Sequence, residues 1–315
     1  MAKTKWITGC FVLITFTLQA QFNYSGIFQK TKIPHEYADN ITWKELQQRQ
    51  AQVDTAGYEL VDVEVAKDAN KVNKYWAIWA KTRQHSVLAE VVGWDSLIQK
   101  RRDMAKEGFV LTELEGQAGP NNVFVFTCAW APGKIVHKVW QLDSWIGLTK
   151  KTEEMAKDNL YLVDVEAVPF PDGTMPYIAL YHYGKQTDQT FLYEASDLTT
   201  FNTERARRNK SGYRLIDYEQ YEHGEREYYV GIFQKASFDD SFRVSLDEQG
   251  FQKLRTEKAN NESVYLTDIE VTRIKNSKII QQKKKNAKVQ TAGAPVKKTT
   301  PPKTIDNSKG KTEVE

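Results

Sequence analysis

The sequence predicts an α+β fold: five tandem β-β-α-β repeats of about 51 residues that form a curved, half-barrel-like antiparallel sheet lined by helices. Three observations predict it. The segment Gly57-Tyr58-Glu59-Leu60-Val61-Asp62-Val63-Glu64 returns from Gly108, Asn159, Gly212 and Ser263, at steps of 51, 51, 53 and 51 residues. A second motif, aromatic-x-small-apolar-aromatic, starts at Tyr24, Tyr75, Phe126, Tyr177 and Tyr229, at steps of 51, 51, 51 and 52. Two motifs in register five times exclude chance and mark a repeat architecture. Finally, 40% hydrophobic and 12% aromatic residues in 315 can fill a core, while two cysteines and no paired Cys/His spacing leave neither a disulfide framework nor a structural zinc site.

Each repeat is read in order. The aromatic-small-aromatic motif alternates with period two and is a strand. A shorter apolar stretch follows, clearest over 86–92 and 241–246, and is a second strand. Thr42-Trp43-Lys44-Glu45 is a capping box that opens a helix, and Trp43/Leu46, Trp94/Leu97 and Trp145/Leu148 give the helices an i, i+3 apolar stripe. Gly57, Gly108, Asn159 and Gly212 then fall where a left-handed residue ends a helix. The Tyr-x-Leu-x-Asp-x-Glu strand closes the unit, and turn formers such as Pro171-Asp172-Gly173 and His223-Gly224 join it by a hairpin to the next unit. The units span approximately 22–70, 71–121, 122–173, 174–224 and 225–271. The helices are expected on the outer side of one sheet, whose two edges either stay open or meet in a ring.

The flanks differ from this body. Lys3 and Lys5 precede a mostly apolar run over 6–18, too short to span a bilayer, and cleavage after Ala20 suits a signal peptide over 1–20. The expected mature chain is secreted or periplasmic, is not transmembrane, and keeps one thiol, Cys128. Residues 272–315 carry twelve Lys/Arg against three acids and little apolar material, so they read as a disordered basic tail. That tail folds back on the acidic body, reaches anionic envelope polymers, or is only solvated. Between the flanks lie 30 basic and 38 acidic residues. Without a basic stripe interleaved with aromatics, no nucleic-acid partner is expected.

The stretch from Gly212 to Glu219, then Tyr221, His223-Gly224 and Tyr228-Tyr229-Val230-Gly231-Ile232-Phe233, resembles the bacterial tandem repeat found N-terminal to β-lactamase-like serine hydrolases, polyglycine hydrolases among them. The likeness extends over all five units. The third departs, with Leu160 for the aromatic and Cys128 for the small residue. The resemblance implies a curved, half-barrel-like sheet with helices along it, favours open edges over a ring, and implies chemistry that belongs to a separate hydrolase domain, which is missing here. A Ser-x-x-Lys nucleophile motif occurs only as Ser308-Lys309-Gly310-Lys311 in the tail, where no pocket desolvates the lysine, and no Gly-x-Ser-x-Gly occurs. The chain is therefore read as non-enzymatic and without a cofactor.

The candidate ligand-binding residues are the repeated acids Asp62, Glu64, Glu113, Glu115, Asp164, Glu166, Asp217, Glu219, Asp268 and Glu270. Period two puts Tyr58, Leu60, Asp62 and Glu64 on one face. Pairing of Glu64 with Tyr75 would set Asp62 opposite Ala77 and Asp217 opposite Gly231, leaving room for the carboxylate. The acids line a surface for a basic or polyamide ligand, or they serve the fold by accepting amide hydrogens or pairing with Lys30, Lys81 or Lys235. Recurrence in every unit favours the fold, because catalysis needs one site. The motif aromatics read as core, Cys128 as a buried small hydrophobe, and the histidines as surface or turn residues with no metal-ligand spacing. The expected function is a module that binds an extended ligand or protein partner, a peptide or cell-envelope polymer. A hydrolase that uses the repeated acids and a purely structural envelope protein are the alternatives.

Overall fold

The computed structural model describes residues 22–185, 188–238 and 240–274; the expected signal peptide and nearly all of the basic tail lie outside them. In chain order the elements are β1 (Phe22–Lys30), β2 (His35–Ile41), α1 (Trp43–Thr55), β3 (Glu59–Lys67) and β4 (Asn73–Ala80). Next come β5 (Val87–Val92), α2 (Trp94–Lys106), β6 (Phe109–Ala118) and β7 (Phe124–Pro132), then β8 (His137–Leu142), α3 (Trp145–Lys157), β9 (Leu160–Ala167) and β10 (Tyr177–Tyr183). The chain continues through β11 (Thr190–Ala195), α4 (Leu198–Lys210), β12 (Tyr213–His223), β13 (Arg226–Lys235), β14 (Asp240–Leu246), α5 (Glu248–Glu262) and β15 (Val264–Arg273). Each unit is β-β-α-β in sequence, and the fold is α+β.

The caps form as their residues dictate. Thr42 Oγ1 accepts from the Glu45 amide while Glu45 reaches back to the Thr42 amide at 2.8 Å, and Asp197 and Asp247 each cap a helix by accepting from the third amide on. Past the helices, Gly57, Gly108, Asn159 and Gly212 have φ of 79°, 87°, 57° and 81°, the left-handed turn that glycine and asparagine tolerate.

The expectation of one long curved sheet is corrected. There are five separate three-stranded antiparallel sheets, and no closed barrel: β2-β4-β3 (sheet I), β5-β7-β6 (II), β8-β10-β9 (III), β11-β13-β12 (IV) and β14-β1-β15 (V). The motif strand lies in the middle of each sheet, with the short strand on one side and the acid-bearing strand on the other. A sheet thus draws its central strand from the unit after the one that supplies its helix. The last unit has no successor, so β1 fills that role: Phe22 to Lys30 pair with Arg273 back to Val264, and Tyr24 to Gln29 pair with β14. The acid-bearing strands neighbour one another in the cycle β3, β6, β9, β12, β15 and back to β3, as the innermost strands of a propeller do. The open edges that the resemblance favours are corrected: the ends meet, because β1 supplies the central strand that β14 and β15 lack.

The helices are wedges between successive sheets and do not line an outer surface. Leu46 and Val53 of α1 pack on Leu60, Val63, Tyr75, Ala77 and Trp79 of sheet I and on Ala129 of sheet II. Leu97 and Met104 of α2 likewise join sheet II to Ile178 and Leu180 of sheet III, and Phe201 of α4 joins sheet IV to Ile27 and Phe242 of sheet V. Each sheet is apolar on both faces because each face meets a neighbour. The motif aromatics Tyr24, Trp79, Phe126, Trp130, Tyr181 and Phe233 are all buried in these junctions, as expected of core. Cys128 is a free, buried thiol, and burial raises its pKa well above the ordinary value. The histidines are not all surface residues. His137 is buried, and burial lowers His182 to about 4 while its ring nitrogen lies 2.7 Å from the Leu111 carbonyl.

Candidate functional site

The ten repeated acids do gather, on the five innermost strands, but not in the expected register. The inner strand of every sheet carries a bulge at the residue before its Asp or Glu: pairing jumps from Leu60 to Asp62, Leu111 to Glu113, Leu162 to Asp164, Leu215 to Asp217 and Leu266 to Asp268. One extra residue reverses the alternation, so Leu60 shares the helix-facing side with Val63 and Val65, and Asp62 and Glu64 point the other way. Glu64 pairs with Trp76 and Asp62 with Ile78, not with Tyr75 and Ala77; Asp217 lies opposite Ile232, not Gly231. The small residue of the motif makes room for the helix, not for a carboxylate.

Facing away from their own helices, the acids form two tiers at the centre, with Asp62, Glu113, Asp164, Asp217 and Asp268 in one and Glu64, Glu115, Glu166, Glu219 and Glu270 in the other. They reach across to the next inner strand. Asp62 Oδ2 accepts from the Ile269 amide at 2.7 Å, Asp164 Oδ2 from the Leu114 amide at 3.0 Å, and Asp268 from the Tyr218 amide. In the other tier, Glu166 Oε2 accepts from Gly116 at 3.4 Å and Glu219 Oε1 from Ala167 at 3.3 Å. These amides stand on strand edges that face the centre without a further strand, and the carboxylates supply the acceptors that a strand would have provided.

The electrostatics are extreme. Asp62 is 8% exposed and Glu270 5%. Burial raises Asp62 to about 7, Asp164 to about 8 and Glu219 to about 7, and it raises Glu64, Glu113, Glu115, Glu166, Asp217, Asp268 and Glu270 well above the usual range, with carboxylate neighbours adding to the shift. Interaction between Glu219 and Glu270 lowers the first pKa and adds to the rise of the second. The collar holds protons at neutral pH. Among the described residues no group of three or more His, Cys, Asp or Glu is placed to hold a metal ion.

A second site lies where sheets III and IV meet, beside the hairpin turns. It is a cleft of about 580 Å³ walled by Trp145, Phe170, Tyr177, Tyr221 and Tyr228, with Glu194, Asp143 and His223 among its polar groups. Each wall comes from a different element: Trp145 opens α3, Tyr177 opens β10, Glu194 is in β11, and Tyr221 and Tyr228 flank the β12–β13 turn. Tyr221 stacks on Tyr228 at 5.2 Å between centroids. The Tyr221 hydroxyl donates to Glu194 Oε1, and the Tyr177 and Tyr221 oxygens are 2.7 Å apart; with the Tyr221 proton committed to Glu194, Tyr177 donates. Burial raises the Glu194 pKa, and the Tyr221 bond opposes that.

Residues 39–82 and 197–236 each match the family described as polyglycine hydrolase-like, structural repeat. The chain carries that repeat at two places. Each matched segment contains a helix, the acid-bearing strand and the central strand, which together with one short strand make a sheet-and-helix module. No curated protein matches the chain.

Reading by repeat position missed the cleft between sheets III and IV, because two of its walls depart from the repeat. Tyr221 stands where the other units have Ala66, Gln117, Val168 and Thr272, and Tyr228 where they have Asn23, Lys74, Val125 and Pro176. Two aromatics on either side of the β12–β13 turn, at positions where no other unit has one, were the available signal.

Proposed function

We propose that this chain is an exported, non-catalytic repeat module that binds a peptide or cell-envelope polymer at the cleft between sheets III and IV. The observation that supports this reading is the cleft itself: five aromatic walls with Glu194 hydrogen-bonded into them through Tyr221, the makeup of a binding site. The acid collar supports it less, since its carboxylates are buried and bound to the amides of neighbouring strands. Repetition suits that structural duty, whereas Tyr221 and Tyr228 give the cleft two walls that the other units lack. Among the described residues no helix is long and apolar enough to cross a membrane.

The test is retention of the full-length chain on insoluble envelope material and on immobilised peptides, compared with Tyr228→Ala, which removes a half-buried wall. Retention reduced about tenfold by the substitution is the expected result. Equal retention of both proteins, or none of either, overturns the reading, and release of soluble fragments in the same assay would move the chain to the hydrolases.

A further inference from the structure

We propose that the cleft takes a cationic side chain, the ammonium or guanidinium group of a lysine- or arginine-bearing peptide, seated between the aromatic walls and Glu194. The inference rests on the binding reading above and names the chemistry of the ligand.

Three observations carry it. The lining contains two carboxylates, Glu194 and Asp143, and no lysine or arginine. Aromatic faces beside carboxylates attract a cation twice over, through the ring quadrupole and through opposite charge. Glu194 is also only half served: Oε1 accepts from Tyr221, and among the described residues Oε2 has no hydrogen-bond partner. A half-buried carboxylate in that condition is stabilised by a cation that arrives with its own hydrogen-bond donors.

The third observation comes from the same molecule. Asp39 of β2 holds, at the junction of sheets V and I, the position that Glu194 holds at the junction of sheets III and IV, since each follows the residue paired with its central strand's small residue, Ala38 opposite Ala77 and Tyr193 opposite Gly231. There the helix wedge provides for the acid: burial raises the Asp39 pKa, and Gln252 of α5, which donates to Asp39, and the Arg255 guanidinium, 4.4 Å from the centre of the Tyr37 ring, oppose that rise. In α3 the positions of Gln252 and Arg255 are taken by Thr149 and Thr152, as the alignment of buried Leu148 and Met155 with Phe251 and Lys258 fixes. The Thr149 hydroxyl donates to Ile146 O, and the Thr152 hydroxyl bonds Leu148 O and the Tyr181 hydroxyl, so neither serves Glu194. The fold supplies the cation internally at one junction, and at the other it leaves the equivalent acid beside an open aromatic cleft.

The experiment is calorimetric titration of the full-length chain with a short lysine-containing peptide, the same peptide acetylated on the lysine Nε, and a neutral oligosaccharide. The expected result is saturable binding of the lysine peptide, at least about tenfold weaker binding of the acetylated one, and a similar loss on Glu194→Gln, which keeps an acceptor for Tyr221 and removes the charge. Glu90→Gln, at the same register position of sheet II, is expected to leave binding unchanged. The acetylated peptide tests the charge even if the variant does not fold. Equal binding of the two peptides, or binding of the oligosaccharide alone, overturns the cationic ligand and leaves the binding module standing; binding of no probe removes support from both.

Discussion

Phe201 and Gly231 are a matched pair: a Cβ added to Gly231 would lie 2.9 Å from Phe201 Cζ and 2.7 Å from Leu215 Cδ1. Phe251 and Gly26 repeat the match at the junction that closes the ring. In the other three junctions the helix residue is Leu46, Leu97 or Leu148, and the strand residue opposite it is Ala77, Cys128 or Ala179. A larger side chain on the wedge goes with a smaller one on the strand, as a close-packed interior requires.

Gly231→Ala is therefore expected to cost about 1–3 kcal/mol, because the strand cannot move away from the helix without disturbing both neighbouring sheets. Combined with Phe201→Leu it recreates the pair found in the other junctions, and the double variant is expected to recover part of the loss. Chemical denaturation of the two single variants and the double reads the coupling, and strictly additive losses would contradict the match.

The acid collar predicts the direction of the pH dependence. A carboxyl group whose pKa is raised by folding binds its proton more tightly in the folded chain, so its stabilising contribution is complete below the unfolded value near 4 and is lost as pH rises through the folded value. With Asp62 and Glu219 raised to about 7 and Asp164 to about 8, the melting temperature is expected to fall between pH 4 and pH 8. Asp62→Asn keeps an acceptor for the Ile269 amide and removes the titration, so it is expected to flatten this slope and to raise the melting temperature at pH 9. Melting curves across that range check it, and a melting temperature that rises with pH would count against a buried, protonated collar.

Closure by β1 predicts a strong effect from a small deletion. Removing residues 22–30 takes the central strand from sheet V and leaves β14 and β15 unpaired with each other. The shortened chain is expected to lose its cooperative melting transition, and a synthetic peptide of residues 22–30 is expected to restore part of it in trans, both followed by circular dichroism.

Cys128 sits beneath α2 with no exposed surface and a raised pKa. A thiol reagent is expected to leave it unmodified in the folded protein and to label it at once in denaturant, since the thiolate is the reacting species. Stoichiometric labelling of the native chain would show that this junction opens.

Much of this was legible in the sequence, and particular residues show where legibility ended. The units, the Thr42 cap, the left-handed residues at 57, 108, 159 and 212 and the buried aromatics follow from local rules of backbone and periodicity. The bulge before each acid does not, because a single unpaired residue changes no composition and breaks no motif, yet it turns Asp62 away from Leu60. The closed ring left a trace that went unread: glycine occupies the small position only at 26 and 231, and phenylalanine the wedge position only at 251 and 201. Matching Gly26 with Phe251 joins the first strand to the last helix. The cleft is harder to see, since Glu194 and Tyr221 come together only through the packing of two sheets.

The ring's fastening also sets the order in which the protein can be completed. Of the described elements β1 leaves the ribosome first, but both of its partners lie more than two hundred residues downstream, so it is made early and paired late. Until then the nascent chain carries Phe22, Tyr24, Ile27 and Phe28 on a strand with two vacant edges. Such a strand adds readily to any sheet V that lacks its own, and at high concentration the neighbouring molecule's copy competes with the chain's own for the same slot. Dilution during refolding thus favours monomers, and crowding favours exchanged rings.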